Sequence, residues 1–226
     1  MAAPAMNRAE YLRRWSELHG GMDPASNRLV LFWLTVVHRL ARPLVRIGAS
    51  PNAVTTLGLA LAGAGVAAAW AGGRWWILAG LLVLVSGLVD NLDGAVAVMT
   101  SSSSRWGYVY DSVVDRVADL GFLLAFWLAG APAWVCAAAG ALTFTQEYTR
   151  ARAGAAGMSE VGVVSVWERP SRVLVTGMFL LAAGIYLGWA VQLATLGAGV
   201  SLALAVVGVV QVLVVVRRRV RKMPEV

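Results

Sequence analysis

Four aspartates stand at fixed intervals in the stretch DNLDGAVAVMTSSSSRWGYVYDSVVD, residues 90–115: Asp90, Asp93, Asp111 and Asp115. Spacings of i,i+3 and i,i+4 put each pair on one face of a helix. The residues from Thr100 to Arg105 form a polar turn, so the two helices read as an antiparallel hairpin. At 1.5 Å per residue both pairs lie roughly 12–20 Å from its tip, at matched depth. Four carboxylates can then converge on one point. An all-oxygen cluster without His or Cys selects hard ions, Mg2+, Mn2+ or Ca2+. Two divalent ions about 3.5–4 Å apart would balance four carboxylates and clamp an in-line displacement at phosphorus.

The flanking sequence makes that counter-charge necessary. The acids sit between LLVLVSGLV and RVADLGFLLAFWLAG, which read as membrane interior. One unpaired Asp at the centre of a membrane helix costs about 2.5–3.5 kcal/mol, and four together cost on the order of 10 kcal/mol before mutual repulsion. Arg116 is the only cation in the interior of a predicted span, away from the span ends. Gly94 directly follows Asp93 and Gly107 opens the next helix, each omitting a side chain where a ligand could approach the backbone. Helix packing on small residues accounts for most of the other glycines.

The elements that must position these residues follow from composition. With 59% hydrophobic and 14% charged residues over 226, the chain is too apolar for a soluble domain. Apolar runs of roughly 20 residues predict six spans, about 53–72, 75–98, 107–130, 132–152, 172–188 and 190–216. The expected fold is an all-α integral membrane protein with six transmembrane helices and an N-terminal amphipathic interfacial helix. Its predicted parts are a mobile, partly helical tail over 1–25, the amphipathic juxtamembrane helix over 26–48, a six-helix catalytic membrane domain over 49–216 and a basic tail over 217–226.

Charge sets the orientation. Seven arginines precede the first span and Arg217, Arg218, Arg219, Arg221 and Lys222 follow the last, while Arg74 alone falls in a loop on the opposite side. Both termini and the hairpin tip are therefore expected in the cytoplasm, with the protein multi-pass in the inner membrane. The +7 net charge is thus a topology signal, and nucleic acid is not an expected partner. In 26–47, Arg28, Thr35, Arg39, Arg42 and Arg46 fall within about 60° of one another on a helical wheel, the pattern of a helix lying among anionic headgroups. The single Cys136 excludes a disulfide framework and a thiolate metal site. No cleavable signal peptide is expected, because the first fifty residues are charged and their longest apolar run is short.

The pattern Asp90-x2-Asp93-Gly94-x2-Ala97-x9-Gly107-x3-Asp111-x3-Asp115 resembles the signature of the CDP-alcohol phosphotransferases, integral membrane enzymes of phospholipid biosynthesis. SPNAVTTLG before the first span resembles the entry segment of that family. EYTRARAGAAG followed by WERPSR resembles the fourth-to-fifth connection of members that use inositol phosphate. The resemblance implies metal on Asp90, Asp93 and Asp111, with Asp115 as general base and further ligand, and Mg2+ or Mn2+ as the ion, two per site. It implies nucleotide binding by Asp90, Gly94, Ala97, Gly107 and Asp111. It further implies transfer of a phosphatidyl group from a CDP-linked lipid such as CDP-diacylglycerol to a polar alcohol, with release of CMP, by a homodimer.

One position departs from the family pattern. Arg follows the Ala in the family and Val98 stands here; Arg105, at the hairpin tip, is the candidate to reach the pyrophosphate in its place. Arg150, Arg152, Arg169 and Arg172 bracket the fourth-to-fifth connection, and their planar forks suit the phosphate of an acceptor such as inositol phosphate or glycerol phosphate. Asp119 continues the acidic row one turn deeper and is expected to pair with Arg116 or a neighbouring helix. Two other readings remain: a catalytically impaired homologue that binds nucleotide or a partner, on account of Val98, and an ion or proton transporter. A transporter would spread its acids along a path across the membrane, whereas the five aspartates of the hairpin all lie between 90 and 119.

Overall fold

The computed structural model describes residues 6–18, 20–158 and 165–223. Among these every regular element is helical: α1 (Arg8–Leu18), α2 (Arg28–Arg46), α3 (Pro51–Ala71), α4 (Trp75–Thr100), α5 (Arg105–Leu128), α6 (Ala133–Ala155), α7 (Arg169–Ile185) and α8 (Ala190–Val220), with single 3-10 turns at Pro24–Ser26 and Leu187–Trp189. The middle of the predicted fourth-to-fifth connection, 159–164, and the ends of both predicted tails, 1–5 and 224–226, lie outside the described residues.

Local chemistry sets the helix ends. Asn27 caps α2, its side-chain oxygen accepting from the amides of Leu29 at 2.9 Å and Val30 at 3.4 Å. Pro51 opens α3, where no amide hydrogen is needed, and the Ser50 hydroxyl accepts from the Ala53 amide at 3.2 Å. Gly72 and Gly73, both at positive φ, reverse the chain between α3 and α4. Arg217, Arg218 and Arg219 occupy the last turn of α8, where cations complement the helix dipole.

Three segments are long and apolar enough to cross a membrane: α3, α4 and Leu187–Val220. Large apolar side chains stand exposed along the helices, Trp70 at 79% among them, a surface that suits lipid and not water. Helices α5 and α6 coincide with two further predicted spans but carry ionisable residues along their length, and α7 has only 17 residues.

The described residues form two compact units, one drawn from Met1–Ala60 and Val85–Asp115, the other from Leu61–Leu84 and Arg116–Val226. In the first, the N-terminal segment expected to be partly helical contains α1. Helix α1 packs on α2 through Tyr11, which is 2% exposed and lies with its ring 5.2 Å from that of His38. Burial pushes the Tyr11 hydroxyl up to about 12. The His38 ring is also hydrogen-bonded to the Met6 carbonyl at 3.0 Å, and Arg8 donates to Thr35 at 3.0 Å.

The second unit has a core rich in alanine, including Ala69, Ala79, Ala125, Ala139, Ala194 and Ala198, filled by Phe122, Phe126 and Leu180. Small residues let backbones approach. A Cβ built on Gly80 would come within 2.6 Å of the Gly177 carbonyl oxygen and 2.8 Å of the Leu181 amide nitrogen, so the first half of α4 meets α7 backbone to backbone. Gly80→Ala should therefore destabilise the protein by about 1–3 kcal/mol, read as a lowered unfolding midpoint in detergent. Gly63→Ala, where an added methyl meets nothing within 4 Å, should not lower that midpoint.

Candidate active site

The first unit brings together three of the four aspartates that the spacing placed on facing helix surfaces. Asp90 and Asp93 project from α4 and Asp111 from α5, and one carboxylate oxygen of each lies within 4.8 Å of the others. Asp115, one turn beyond Asp111, is outside that set. Asp93 is buried at 7% exposure, and the Thr55 hydroxyl of α3 donates to its Oδ2 at 2.5 Å. Three helices thus meet at Asp93. The donor set is oxygen alone and crowded with like charge, which fits a hard divalent cation.

A cavity of about 420 Å³ opens beside the carboxylates. Its floor is Asp93 and Asp111, its walls are Pro51, Asn52, Thr55, Gly94, Ala97, Gly107 and Tyr108, and its rim carries Ser50 and Ser102–Ser104. The glycines act differently here. A Cβ on Gly94 would meet nothing within 4 Å, whereas one on Gly107 would crowd the Ser104 hydroxyl at 3.0 Å and the Asn52 side chain at 3.3 Å. The Gly107 amide donates to that same Ser104 hydroxyl at 2.9 Å. Thr56 and Tyr110 join α3 to α5 through a 2.8 Å hydroxyl contact. Val98 is buried, at 8% exposure. Arg105 is exposed at the start of α5 and is not among the described residues lining the cavity.

The second unit holds the arginines. Arg172 is 3% exposed and donates to Asp119 Oδ2 at 2.8 Å, Glu147 Oε1 at 2.7 Å and the Trp167 carbonyl at 2.9 Å. Arg116 reaches Asp119 at 3.2 Å and Glu147 at 3.3 Å, and Arg169 lies 3.7 Å from Asp119. Arg150 bridges Glu147 and Glu168. Burial alone would raise the Glu168 pKa, but hydrogen bonds from Arg150 and from the Ser165 hydroxyl and amide outweigh it and hold the carboxyl below the usual range. Arg152 stands apart from this network in the described contacts and is exposed. The pairing of Asp119 with Arg116 or a neighbouring helix was expected; that one Arg172 would hold both Asp119 and Glu147 was not.

A profile of the family described as CDP-alcohol phosphatidyltransferase matches residues 49–216. The chain belongs to that family. Its members are transferases, and the transporter reading falls with that assignment. Phosphatidylinositol phosphate synthase of Streptomyces avermitilis is 34% identical over 165 residues, covering 68% of this chain and 64% of that one. The corresponding protein of Mycobacteroides abscessus is 34% identical over 164 residues, covering 68% and 70%. Archaetidylinositol phosphate synthase of Pyrococcus horikoshii is 28% identical over 155 residues, covering 67% and 81%. The crystal structure of Mycobacterium tuberculosis phosphatidylinositol phosphate synthase with CDP-DAG bound matches with a TM-score of 0.67 at 24% identity, over 85% of this chain and 100% of that one. A second structure of that protein, in complex with manganese and citrate, gives the same score and identity over 80% and 88%. This likeness establishes a shared membrane-protein fold.

Thr55, which lies within SPNAVTTLG, was the side chain that sequence reading passed over; threonine in an apolar helix gives no pattern until its partner is known. Gln146 is a second, its amide donating to Ser165 at 3.1 Å and the Trp167 carbonyl at 3.0 Å.

Two expectations follow. Asn at Asp90, Asp93 or Asp111 should each remove Mn2+ binding, measured by electron paramagnetic resonance, while the fold persists because acid repulsion is relieved. Gly94→Leu should fold normally, since its Cβ meets open space, yet abolish CDP binding by filling the cavity, measured by isothermal titration.

Proposed function

We propose that this family enzyme transfers a phosphatidyl group from a CDP-linked lipid to the hydroxyl of a phosphorylated polyol, inositol phosphate or glycerol phosphate, and releases CMP. Helices α3 to α8 are read as six spans in the inner membrane, with α2 on the headgroup plane and the site open to the cytoplasm. The observation that carries the reading is the meeting of Asp90, Asp93 and Asp111 beside a cavity walled by small residues and rimmed by hydroxyls.

In this reading Asp90, Asp93 and Asp111 hold Mg2+ or Mn2+, two ions per site, with Asp115 as a further ligand. The bound metal supplies positive charge to the phosphates and to the departing CMP. Thr55 fixes the rotamer of Asp93 through its 2.5 Å hydrogen bond. Gly94, Ala97 and Gly107 leave space for the nucleotide, and Asp115 takes the proton of the acceptor hydroxyl as its oxygen bonds to phosphorus and the bond to CMP breaks. A lipid substrate arrives from the bilayer and a polar acceptor from the cytoplasm. A site part-way into the membrane is reachable by both.

The phosphorylated acceptor is supported by the names of the relatives and by Arg150, Arg152, Arg169 and Arg172 at the facing ends of α6 and α7. Arg172 is already engaged by Asp119 and Glu147, so its part is to hold the cluster together; Arg152 is exposed and free of that duty. Arg152→Ala should reduce kcat/KM for a phosphorylated acceptor ten- to over a hundredfold, the equivalent of a charge-assisted contact of about 1.5–3 kcal/mol. Use of an unphosphorylated acceptor should change little. Arg172 needs the Lys replacement, because removing a buried charge partner also unfolds. Lipid products analysed by mass spectrometry after incubation with CDP-diacylglycerol and both kinds of acceptor read the outcome. CDP binding with no product from any acceptor would instead assign an impaired homologue, in keeping with Val98.

A further inference from the structure

The cavity beside the aspartates has no arginine or lysine among its described lining residues, although the substrate proposed above carries a diphosphate. A cation whose place is fixed by a hydrogen bond beside this lining comes from outside the membrane helices. Arg14 of α1 donates through Nη1 to the hydroxyl of Ser101, the residue directly before the Ser102–Ser104 rim. Its neighbour Arg13 points elsewhere, towards Glu17 at 3.9 Å.

Ser101 is itself unusual. It is the only described non-glycine residue at positive φ, at 53°, and ends α4 with the Ser102 amide bonded to the Ala97 carbonyl at 3.1 Å and its own amide to the Val98 carbonyl at 3.3 Å. That helix ending strongly favours glycine. A serine there accepts backbone strain and presents a hydroxyl that glycine lacks. Strain of this kind, kept where a cheaper residue fits, points to function. Helix α1 is meanwhile held on α2 by buried Tyr11, by His38 against the Met6 carbonyl and by Arg8 on Thr35, so Arg14 arrives on a fixed support.

We infer that Arg14, carried by α1 and tethered to Ser101, is a binding residue for the diphosphate of the CDP-linked substrate. This rests on the function proposed above. The N-terminal helix is then part of the substrate site, and the cation absent from the cavity walls is supplied by a segment that reads as a tail. A guanidinium at the rim forks onto two phosphate oxygens, while the serine hydroxyls beside it can donate to a third.

The test is CDP affinity of the full chain in detergent, followed by isothermal titration, together with KM for CDP-diacylglycerol. Arg14→Ala should weaken CDP binding about tenfold or more, the effect of one lost charge-assisted contact, with Arg14→Lys partly restoring it. Ser101→Gly should relax the backbone, so that thermal stability holds or rises, and still weaken CDP binding by freeing the arginine. Arg13→Ala removes the same charge from the same helix and should leave affinity unchanged. Unchanged affinity in Arg14→Ala or in Ser101→Gly overturns the inference, as does equal weakening by Arg13→Ala. If the unaltered protein binds no CDP, the functional reading itself fails.

Discussion

A carboxylate taken out of water must be met by positive charge or by donors, and this chain meets that constraint in two ways. In the second unit the charge is built in: Asp119, Glu147 and Glu168 are gripped by arginines from α5, α6 and the start of α7. In the first unit three aspartates are brought within 4.8 Å of one another, an arrangement that crowds like charges and whose oxygen donors fit a hard divalent cation. Asp111, Asp115 and Asp119 follow one another at i,i+4 along α5. Their helix spacing is identical and their surroundings are not.

That contrast explains what could be read in advance. Helix spacing is local, so the convergence of Asp90, Asp93 and Asp111 followed from i,i+3 spacing and equal distance from a turn. The helix boundaries followed from apolar runs and Gly or Pro punctuation to within a few residues. The partners of Arg172 lie 53 and 25 positions away, and a count of positive charges at span ends says nothing about which of them turn inward. The attachment of the N-terminal segment was not legible for a related reason. Tyr11 is the buried side chain of α1, and the segment's other ties to α2 are the polar contacts of Arg8 and the Met6 carbonyl, too little to register as an apolar face.

Small residues connect the fold to the site. Alanine fills the core of the second unit and Gly80 brings α4 against α7 at backbone distance, because side-chain bulk and not water expulsion limits helix contact in lipid. In the first unit the same residue types serve the opposite end. Gly94 stands clear of every neighbour, and with Ala97 it leaves a wall of the cavity bare. Gly80 is buried against backbone and maintains packing, whereas Gly94 faces open space beside the carboxylates. Composition alone cannot separate the two.

Burial sorts the arginines in a similar way. A cation retained only to orient a membrane protein gains most from full hydration, as in the exposed Arg217 and Arg218 at the end of α8. Side chains of Arg172, Arg150, Arg169 and Arg116 are instead between 3% and 19% exposed, at a desolvation cost that topology does not require. Their carboxylate partners offset that cost and fix each guanidinium in one orientation. Replacing Arg172 therefore disturbs the whole set, whereas Arg152 can be removed without unmaking it. That difference lets an effect on the acceptor be told apart from an effect on the fold.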